Sequence, residues 1–424
     1  MSTRRIALSV FTDIAEHGAY ANLRLKALPD SMEERGVRFV TALVYTALDH
    51  LRHIDYILAA YVKRACKPVA RDLLRLGVCE LLFFGTPSHA VLSEYVNLTR
   101  EIGKAPLSGF VNAVLRAVER DRDALPALPN EPVARLSVQY SFPNWLVSEW
   151  CAQYGEAFTE RLLSSASTGI SVRAQYPCTT KQLLAELPVS AATGALDPNC
   201  LLLERGYEFA ASPAFLEGRM TVQSQSAMLV CRALGDCRGK RVLDACAAPG
   251  GKSAYIASLA ENDVRITAME LHAHRKALLD KTLARLHVPA ETMQHDASVP
   301  VDAFRNEFDA VLLDAPCSGL GVLADKPDVR YAKSDADVVS LAALQKRLLA
   351  VCADYVKPGG VLLYATCTIS RRENEDNVLA FLAARNEFML EPMPFVPAND
   401  GMLQLFPHVH GTDGFFLARM KRCI

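Results

Sequence analysis

The feature that most constrains the fold is a regular alternation of short apolar segments with helical segments. It begins near Met220 and continues almost to the end of the 424-residue chain. Parallel strands need helical crossovers and are buried on both faces, which makes them continuously apolar. The pattern therefore predicts an α/β domain with a mainly parallel sheet, whose ligands bind at the carboxyl ends of the strands. The predicted strands are Arg241–Ala245, Val264–Met269, Thr292–Gln294, Phe308–Leu313, Gly360–Ala365 and Gly414–Met420, and the predicted helices are Lys252–Ala260, His272–Leu286, Asp335–Val356 and Glu373–Arg385.

The chain before residue 124 has a different pattern, in which apolar residues recur at helical spacing. One helix face is formed by Val40, Val44, Ala47, Leu48 and Leu51. Prolines and polar residues separate several such segments, so an all-α domain of five to seven helices is predicted. A proline-rich linker follows. We therefore expect three parts: an all-α domain (1–130), a linker with a small α/β subdomain (131–220) and the main α/β domain (221–424).

Composition and charge exclude several classes of protein. Half of the residues are hydrophobic, so the chain is not generally disordered. The 46 basic and 47 acidic residues give a net charge of −1, so a polyanion would have to bind at a local basic patch. The twelve cysteines include no CxxC pair, which argues against a zinc ribbon. With neither an apolar run of about 18 residues nor a signal-like N-terminus, we expect a cytoplasmic protein with reduced thiols.

One turn in the α/β region has the features of a nucleoside-like cofactor site. An apolar strand runs into DACAAPGGKS (244–253), a turn of small residues that opens a helix. Small residues let a ligand approach the backbone, and the start of a helix offers free N–H groups. The next strand ends at Glu270, where a carboxylate can bind ribose hydroxyls. The run is neither GxGxxG nor a Walker loop, and an ordinary strand–helix turn is the alternative.

Two further strands of the predicted sheet deliver cysteines to the same edge. LLDAPCSG (312–319) carries Asp314 and Cys317, and LLYATCT (362–368) carries Cys367. A single cysteine is usually a small core residue. Three strand ends with polar or reactive groups favour a functional site instead. The cysteines that we assign to the core include Cys66, Cys79, Cys151 and Cys352.

These motifs resemble those of a known enzyme family. DACAAPGGKS (244–253), DAPCSG (314–319) and ATCT (365–368) resemble the RNA 5-methylcytosine methyltransferases that use S-adenosylmethionine. ENED (373–376) and DGFF (413–416) are also similar to that family. The resemblance implies a Rossmann-like S-adenosylmethionine-dependent methyltransferase domain with a mainly parallel sheet.

The N-terminal half resembles a second family. ERGVRFVTALVYTALDHLRHID (34–55) and GFVNAVLR (109–116) are similar to the NusB-type RNA-binding domain. Together the two resemblances cover nearly the whole chain. They point to the RsmB (Sun/Fmu) family, bacterial 16S rRNA 5-methylcytosine methyltransferases with an all-α NusB-like domain before the catalytic domain.

The resemblance implies which residues bind the cofactor. A loop would line the methionine and ribose side of S-adenosylmethionine. Glu270 would hold the ribose hydroxyls, and Asp296 would lie beside the adenine. Asp314 would touch both the cofactor and the cytosine edge. The loop residues are Cys246, Ala247, Ala248, Pro249, Gly250, Gly251 and Lys252.

The implied chemistry explains why thiols are needed, because C5 of cytosine is a poor nucleophile. Cys367 would add to C6, and C5 would then be enamine-like and attack the methyl sulfonium. Asp314 would assist at N3, and Cys317 would help to release the product. An ordinary thiol has a pKa of about 8.5, so a neighbouring group must favour the thiolate of Cys367, and Lys252 and the start of the helix are the two candidates. No metal is required.

The implied partner is a single-stranded or loop region of 16S rRNA, because the target base must be unstacked. Basic residues of the early helices predict a phosphate-facing patch, unless they are scattered charges on a solvated surface. After Cys317, Ala324 and Asp325 stand where relatives have basic residues, so RNA contacts there are expected to be weaker or different. The basic residues are Arg35, Arg38, Arg52, Lys63, Arg64, Lys67, Arg71 and Arg75.

Two alternatives remain open at this point. The same chemistry could act on tRNA or on another rRNA site. The chain could instead be a non-catalytic RNA-binding or ribosome-assembly factor, although both cysteines, Asp314 and the cofactor loop are intact. We expect a monomer.

Overall fold

The structure is a computed structural model that describes residues 2–166, 169–204, 207–396 and 399–423. The contacts divide the chain into two units. Unit 1 comprises Met1–Ser165 and Leu323–Lys333, and unit 2 comprises Ala166–Val322 and Ser334–Ile424. The three-part division expected from the sequence uses other boundaries and stays a prediction.

The secondary structure of the described residues follows the two predicted patterns. The helices are α1 (Thr3–His17), α2 (Ala21–Lys26), α3 (Glu34–Asp49), α4 (Leu51–Tyr61), α5 (Pro68–Phe83), α6 (Ser88–Glu101), α7 (Ser108–Arg120), α8 (Pro132–Gln139), α9 (Asn144–Tyr154), α10 (Glu156–Leu163), α11 (Thr180–Glu186), α12 (Pro213–Leu216), α13 (Gln225–Ala233), α14 (Gly251–Leu259), α15 (Ala273–Arg285), α16 (Val329–Ala332), α17 (Asp335–Tyr355), α18 (Glu375–Ala384) and α19 (Pro407–His410). The strands are β1 (Ile170–Ala174), β2 (Ala191–Thr193), β3 (Cys200–Leu203), β4 (Met220–Val222), β5 (Arg241–Asp244), β6 (Arg265–Glu270), β7 (Ala290–Gln294), β8 (Phe308–Asp314), β9 (Val356–Thr366), β10 (Phe388–Leu390), β11 (Met402–Leu405) and β12 (Phe415–Arg422).

Unit 1 is helical, as the sequence predicts. Val40, Val44 and Ala47 of α3 are fully buried in its apolar core, which confirms the predicted helix face. The helix ends earlier than that face suggests, because α3 stops at Asp49 and Leu51 begins α4. None of the helices in the described part of the chain is long and apolar enough to cross a membrane.

The segment that follows the Cys317 motif is part of unit 1. Arg330 of α16 donates to Asp49 at 3.0 Å, and its guanidinium lies 4.3 Å from the ring centre of Phe142. The hydroxyl of Tyr331 donates to the carbonyl oxygens of Leu48 and Ser141. These contacts fix a short segment that the sequence pattern leaves as a loop.

Unit 2 contains a small antiparallel sheet in the strand order β2-β3-β1-β4. Its apolar side is covered by Leu183 of α11 and Ala214 of α12. α11 begins with a capping box in which Thr179 and Gln182 satisfy each other's backbone N–H groups. β2, β3 and β4 are short, and their sequences carry too little alternation to be predicted.

The large sheet of unit 2 has the order β10-β12-β9-β8-β5-β6-β7, with β11 paired to β12. β9, β8, β5, β6 and β7 run parallel, and β12, β10 and β11 are antiparallel additions. The prediction of a mainly parallel sheet is therefore confirmed. The parallel order brings the carboxyl ends of β5, β6, β8 and β9 to one edge, where Asp244, Glu270, Asp314 and Thr366 end their strands.

Candidate active site

The turn after β5 is shaped by glycine and small side chains. Gly250 precedes α14 with φ of +104°, a conformation that L side chains rarely adopt. A Cβ at Gly250 would lie 2.9 Å from Cδ1 of Leu279, so a side chain there would collide. The N–H of Ala247 donates to the carbonyl oxygen of Met269 on β6 at 2.8 Å. The start of α14 therefore opens beside a turn that is held across the sheet and leaves room for a ligand.

A cleft of about 170 Å³ lies against this turn. Its wall contains most of the loop that the sequence predicts for the cofactor, together with Asp314. Gly250 does not line the cleft but shapes the turn. The predicted residues in the wall are Cys246, Ala247, Ala248, Pro249, Gly251, Lys252 and Asp314. Those in the wall that were not predicted are Val222, Gln223, Ser224, Ala227 and Asp244.

Two buried polar atoms in the wall of the cleft have no partner. Asp244 accepts from the hydroxyl of Ser253 at Oδ2 (2.6 Å), but no group of the described residues donates to its Oδ1. The Nε2 of Gln223 likewise has no acceptor in the described structure. An unsatisfied buried polar atom costs about 1–3 kcal/mol. One orphaned acceptor and one orphaned donor fit a ligand that carries an ammonium and a carboxylate, as the methionine part of S-adenosylmethionine does.

A buried cation supports Gln223. Arg173 of β1 is fully buried and donates to Oε1 of Gln223 at 2.5 Å, which leaves Nε2 as the free end of that amide. Arg173 also donates to Gln175 and to the carbonyl oxygen of Gly251. Burial lowers the pKa of Arg173 to about 10, and no carboxylate of the described residues lies within ion-pair distance of it. Its positive charge favours an anionic group in the cleft.

The two predicted carboxylates beyond the loop lie further along the same edge. Glu270 ends β6 almost fully buried and accepts from the N–H of His272 at 3.0 Å. Asp296 follows β7 and accepts from the N–H of Ser298 at 2.9 Å, a bond that lowers the pKa of Asp296. The N–H of His295 donates to the carbonyl oxygen of Glu270, so the two strand ends are joined. Neither carboxylate lines the cleft, and their roles stay predictions.

Lys252 and Asp314 form an ion pair in the cleft. Nζ of Lys252 lies 2.6 Å from Oδ2 of Asp314 and 5.3 Å from the ring centre of Phe415. Burial works to lower the pKa of Lys252, but the negative charge of Asp314 outweighs it and raises that pKa. Negative charge on the sulfurs of Cys231 and Cys367 acts in the same direction, that of Cys231 more strongly. Lys252 can therefore favour the thiolate form of Cys367.

The side chains of the two cysteines predicted to be catalytic are in contact. The Sγ atoms of Cys317 and Cys367 are 3.2 Å apart, although 50 residues separate them in the chain. The hydrogen bond with Cys367 raises the pKa of Cys317 well above its usual value, and burial and the negative charge of Glu373 add to this. Cys317 is therefore the thiol that keeps a proton when one of the pair ionises. Such a pair offers a nucleophile beside a proton carrier.

The turn that carries Cys367 is packed tightly. The N–H of Gly321 donates to the carbonyl oxygen of Cys367 at 3.0 Å, and the N–H of Gly414 donates to the carbonyl oxygen of Gly321 at 2.8 Å. A Cβ on Gly321 would lie 1.9 Å from the carbonyl oxygen of Gly414. The DGFF motif thus supplies a glycine that allows a close backbone approach beside the cysteine.

The basic residues of unit 1 do not form one free patch. Arg75 is buried between Asp55 and Asp72, and Arg71 is paired with Glu16. Arg38 is paired with its helix neighbour Glu34, and Arg52 donates to Ser137 and Asn144. These four side chains are therefore held by protein groups. Those left exposed without an ion pair in the described structure are Arg35, Lys63, Arg64 and Lys67.

Sequence reasoning missed five residues of the cleft wall, among them Asp244 and Gln223, and it missed Arg173, which donates to Gln223. Asp244 belongs to the DACAAPGGKS run and ends a strand, so its position was a usable signal. Gln223 follows a strand of three residues, and Arg173 comes from the small sheet. Nothing in the local sequence of these two indicates a cofactor, because only the packing of the small sheet against α14 brings Gln223 to the cleft and Arg173 behind it.

Comparisons with known proteins agree with this architecture. The family model 16S rRNA methyltransferase RsmB/F matches residues 232–421, and the NusB family model matches residues 1–120. The chain is 36% identical to the Probable ribosomal RNA small subunit methyltransferase B of Bacillus subtilis, over 99% of both chains. It is 31% identical to the Ribosomal RNA small subunit methyltransferase B of Shewanella oneidensis, over 100% of this chain and 99% of that one.

A solved structure matches the whole chain as well. The crystal structure of PH0851 has a TM-score of 0.84 and 25% sequence identity, with 100% of this chain and 99% of that chain covered. This similarity extends through both the helical and the α/β parts. Because curated relatives more than 30% identical are covered almost end to end, the chain belongs to the 16S rRNA methyltransferase RsmB/F family, with a NusB-family domain at its N-terminus.

Proposed function

We propose that the protein transfers the methyl group of S-adenosylmethionine to C5 of a cytosine in small-subunit rRNA. The observation that carries this proposal is the pair of thiols, Cys317 and Cys367, 3.2 Å apart at the sheet edge that also holds Lys252 and Asp314. A methyltransferase acting on oxygen or nitrogen has no need of two adjacent thiols. The names of the relatives support rRNA of the small subunit as the substrate.

The cofactor fits the groups that line the cleft. Oδ1 of Asp244 would accept a hydrogen bond from the ammonium of the cofactor, and Nε2 of Gln223 would donate one to the carboxylate of the cofactor. The positive charge of Arg173, which donates to Gln223, would favour that carboxylate. The loop from Cys246 to Lys252 would surround the methionine and ribose. Glu270 would hold the ribose hydroxyls and Asp296 would lie beside the adenine. The bound cofactor supplies a methyl group on a positively charged sulfur.

Different residues of the chain would then act in successive steps of the reaction. The thiolate of Cys367, favoured by Lys252, forms a bond to C6 of the cytosine, and Asp314 stabilises the ring at N3 with a proton that it can share with Lys252. C5 would then attack the methyl carbon, and the bond between that carbon and the cofactor's sulfur would break and leave the sulfur neutral. Cys317 then takes the proton from C5 while it passes its own proton to the sulfur of Cys367, 3.2 Å away, so that the double bond re-forms and that sulfur leaves C6 as a thiol. Lys252 and Asp314 are positioned to keep this exchange of protons within one site.

The substrate must present an unstacked cytosine, so a single-stranded or loop region of the rRNA is proposed. Three exposed cations around the end of α4, Lys63, Arg64 and Lys67, are available for phosphate contacts in unit 1. A cytoplasmic location is part of the proposal, because both catalytic thiols must be reduced. That the protein acts as a monomer stays a prediction.

The proposal is tested by bisulfite sequencing of small-subunit rRNA from cells with and without the gene. We expect one cytosine to lose methylation in the deletion and to regain it with the wild-type protein but not with Cys367→Ala. Unchanged methylation of that rRNA would contradict the proposed substrate. In that case, a methylated cytosine found by the same assay in tRNA or large-subunit rRNA would show the same chemistry at another site. If the protein methylated none of these RNAs, the alternative of a non-catalytic assembly factor would be favoured.

A further inference from the structure

The residues that follow the two cysteines are joined to each other. Ser318 follows Cys317 and Thr368 follows Cys367, and their hydroxyl oxygens are 2.8 Å apart. Both side chains are buried. The proposed chemistry uses neither hydroxyl, so this contact serves to connect the two loops that carry the thiols.

A buried carboxylate holds this connection from one side. Oε1 of Glu373 accepts from the N–H of Ser318 at 2.9 Å, and its Oε2 accepts from the hydroxyl of Ser318 at 2.5 Å. Gln345 donates to the same carboxylate at 3.0 Å and to the carbonyl oxygen of Pro316 at 2.9 Å. The side chain of Glu373 therefore contacts the Cys317 loop directly after the cysteine and, through Gln345, directly before it.

The next residue does the same for the other cysteine. Oδ1 of Asn374 accepts from the hydroxyl of Thr366 at 2.6 Å, and its Nδ2 donates to the carbonyl oxygen of Thr368 at 3.0 Å. Thr366 and Thr368 flank Cys367. Two adjacent residues of one segment thus fix the two cysteine loops from both sides.

The choice of a carboxylate at position 373 is unusual on energetic grounds. Glu373 is fully buried, and within the described ranges no Lys, Arg or His lies within ion-pair distance of it. A buried charge without a cation is costly unless several donors satisfy it. Here Ser318 and Gln345 supply three donors, and two of them come from the residue beside Cys317.

We propose that Glu373 is a positioning residue that fixes the Cys317 loop against the Cys367 turn and keeps Cys317 in place for product release. Asn374 supports the Cys367 side of the same arrangement. The part that concerns release rests on the proposed function, in which Cys317 removes the C5 proton. The positioning part rests only on the contacts of the folded chain.

The first experiment compares covalent enzyme–RNA complexes on denaturing gels under turnover conditions. Glu373→Gln keeps the size of the side chain but loses at least one acceptor for Ser318. We expect it to accumulate the complex at least fivefold over wild type and to lower kcat more than KM, as Cys317→Ala does. Asp376→Asn is the matched control, because Asp376 is an exposed carboxylate of the same segment, paired with Arg371.

The outcomes separate the two proposals. If Cys317→Ala accumulates the complex and Glu373→Gln turns over like wild type, the role of Glu373 in release is wrong. If Glu373→Gln loses methyl transfer without the complex and its Tm also falls, its role is only structural. If Cys317→Ala itself gives no complex, the release role of Cys317 in the proposed function fails instead.

A second measurement does not depend on RNA. Diamide takes up the two thiol hydrogens of Cys317 and Cys367, is reduced to the hydrazine, and leaves a disulfide that mass spectrometry of the linked peptides detects. We expect Glu373→Gln to slow this reaction at least fivefold and Asp376→Asn to leave it unchanged. Ser318→Ala, a smaller change, should slow it in the same direction if Glu373→Gln does not fold. Equal rates in folded Glu373→Gln and wild type would overturn the positioning role.

Discussion

Lys252 donates to Asp314 at 2.6 Å and so joins the helix after the DACAAPGGKS turn to the strand before Cys317. The two residues are 62 positions apart in the sequence. The two opposite charges balance within the pair, and the ammonium of Lys252 also interacts electrostatically with the sulfur of Cys367.

Replacing Lys252 with Met should weaken both cofactor binding and catalysis. The change removes a charge-assisted hydrogen bond and leaves Asp314 without its cation, which corresponds to about 1.5–3 kcal/mol or roughly 10–150-fold in affinity. Equilibrium dialysis with labelled S-adenosylmethionine measures the Kd directly. Lys276→Met is the control, because Lys276 pairs with Asp280 on the next helix. An unchanged Kd and an unchanged kcat would contradict the role of the pair.

Replacing Cys367 and replacing Cys317 should have different effects on the reaction. Cys367→Ala is expected to abolish methyl transfer while cofactor binding persists, because the thiolate is needed only for the bond to C6. Cys317→Ala is expected to trap a covalent enzyme–RNA complex that withstands denaturation. Filter binding of RNA methylated with labelled S-adenosylmethionine measures methyl transfer, and equilibrium dialysis measures cofactor binding. Denaturing gels detect the covalent complex. Cys423→Ala, which changes an exposed thiol, should behave like wild type. Full activity of Cys367→Ala would rule it out as the nucleophile.

Asp244 should make the stability of the ligand-free protein depend on pH. Burial raises its pKa from 3.8 to about 6. Between these values the native state binds a proton that the unfolded chain does not, so the free energy of unfolding rises as the pH falls. Relative to Asp244→Asn, the gain between pH 7 and pH 5 is roughly 1 kcal/mol. Urea denaturation at both pH values checks this, and identical pH trends in the two proteins would contradict it.

Cofactor binding should show the opposite trend with pH. The proposed contact with the ammonium requires the ionised form of Asp244, so the affinity for S-adenosylmethionine should fall about tenfold between pH 7 and pH 5. Titration calorimetry measures the Kd for S-adenosylmethionine at the two pH values. Asp244→Asn should bind weakly at both. A wild-type affinity that does not change over this range would exclude Asp244 from the contact.

Arg330 should matter for the stability of unit 1. Arg330→Met removes its bond to Asp49 and its contact with the ring of Phe142, and we expect a loss of about 1–3 kcal/mol. Thermal unfolding measures the shift in Tm. Lys326→Met, at an exposed position of the same segment, is the control and should change Tm little. An equal Tm for Arg330→Met and wild type would mean that these contacts contribute nothing to folding.

Much of the fold could be predicted from local pattern. The apolar strands with helices between them predict β5, β6, β8 and β9, because a strand that is buried on both faces must be apolar throughout. The face of α3 follows from its period in the same way. The short strands β2, β3, β4, β10 and β11 could not be predicted, because segments of three or four residues carry no period and form only when a neighbouring strand pairs with them.

Local sequence pattern was enough to predict that Asp314, Cys317 and Cys367 lie at or just after the carboxyl ends of parallel strands, since such strand ends share one edge. It could not determine that the two sulfurs are 3.2 Å apart, or that Lys252 pairs with Asp314. Nor could it indicate that Glu373 holds the Cys317 loop or that Gln223 lines the cleft with Arg173 behind it. Those contacts join residues far apart in the chain, and their geometry depends on how strands, helices and loops pack together. The periodicity of apolar residues indicates which residues of a helix or strand are buried. Which of these residues contact each other depends on how the elements pack in the folded chain.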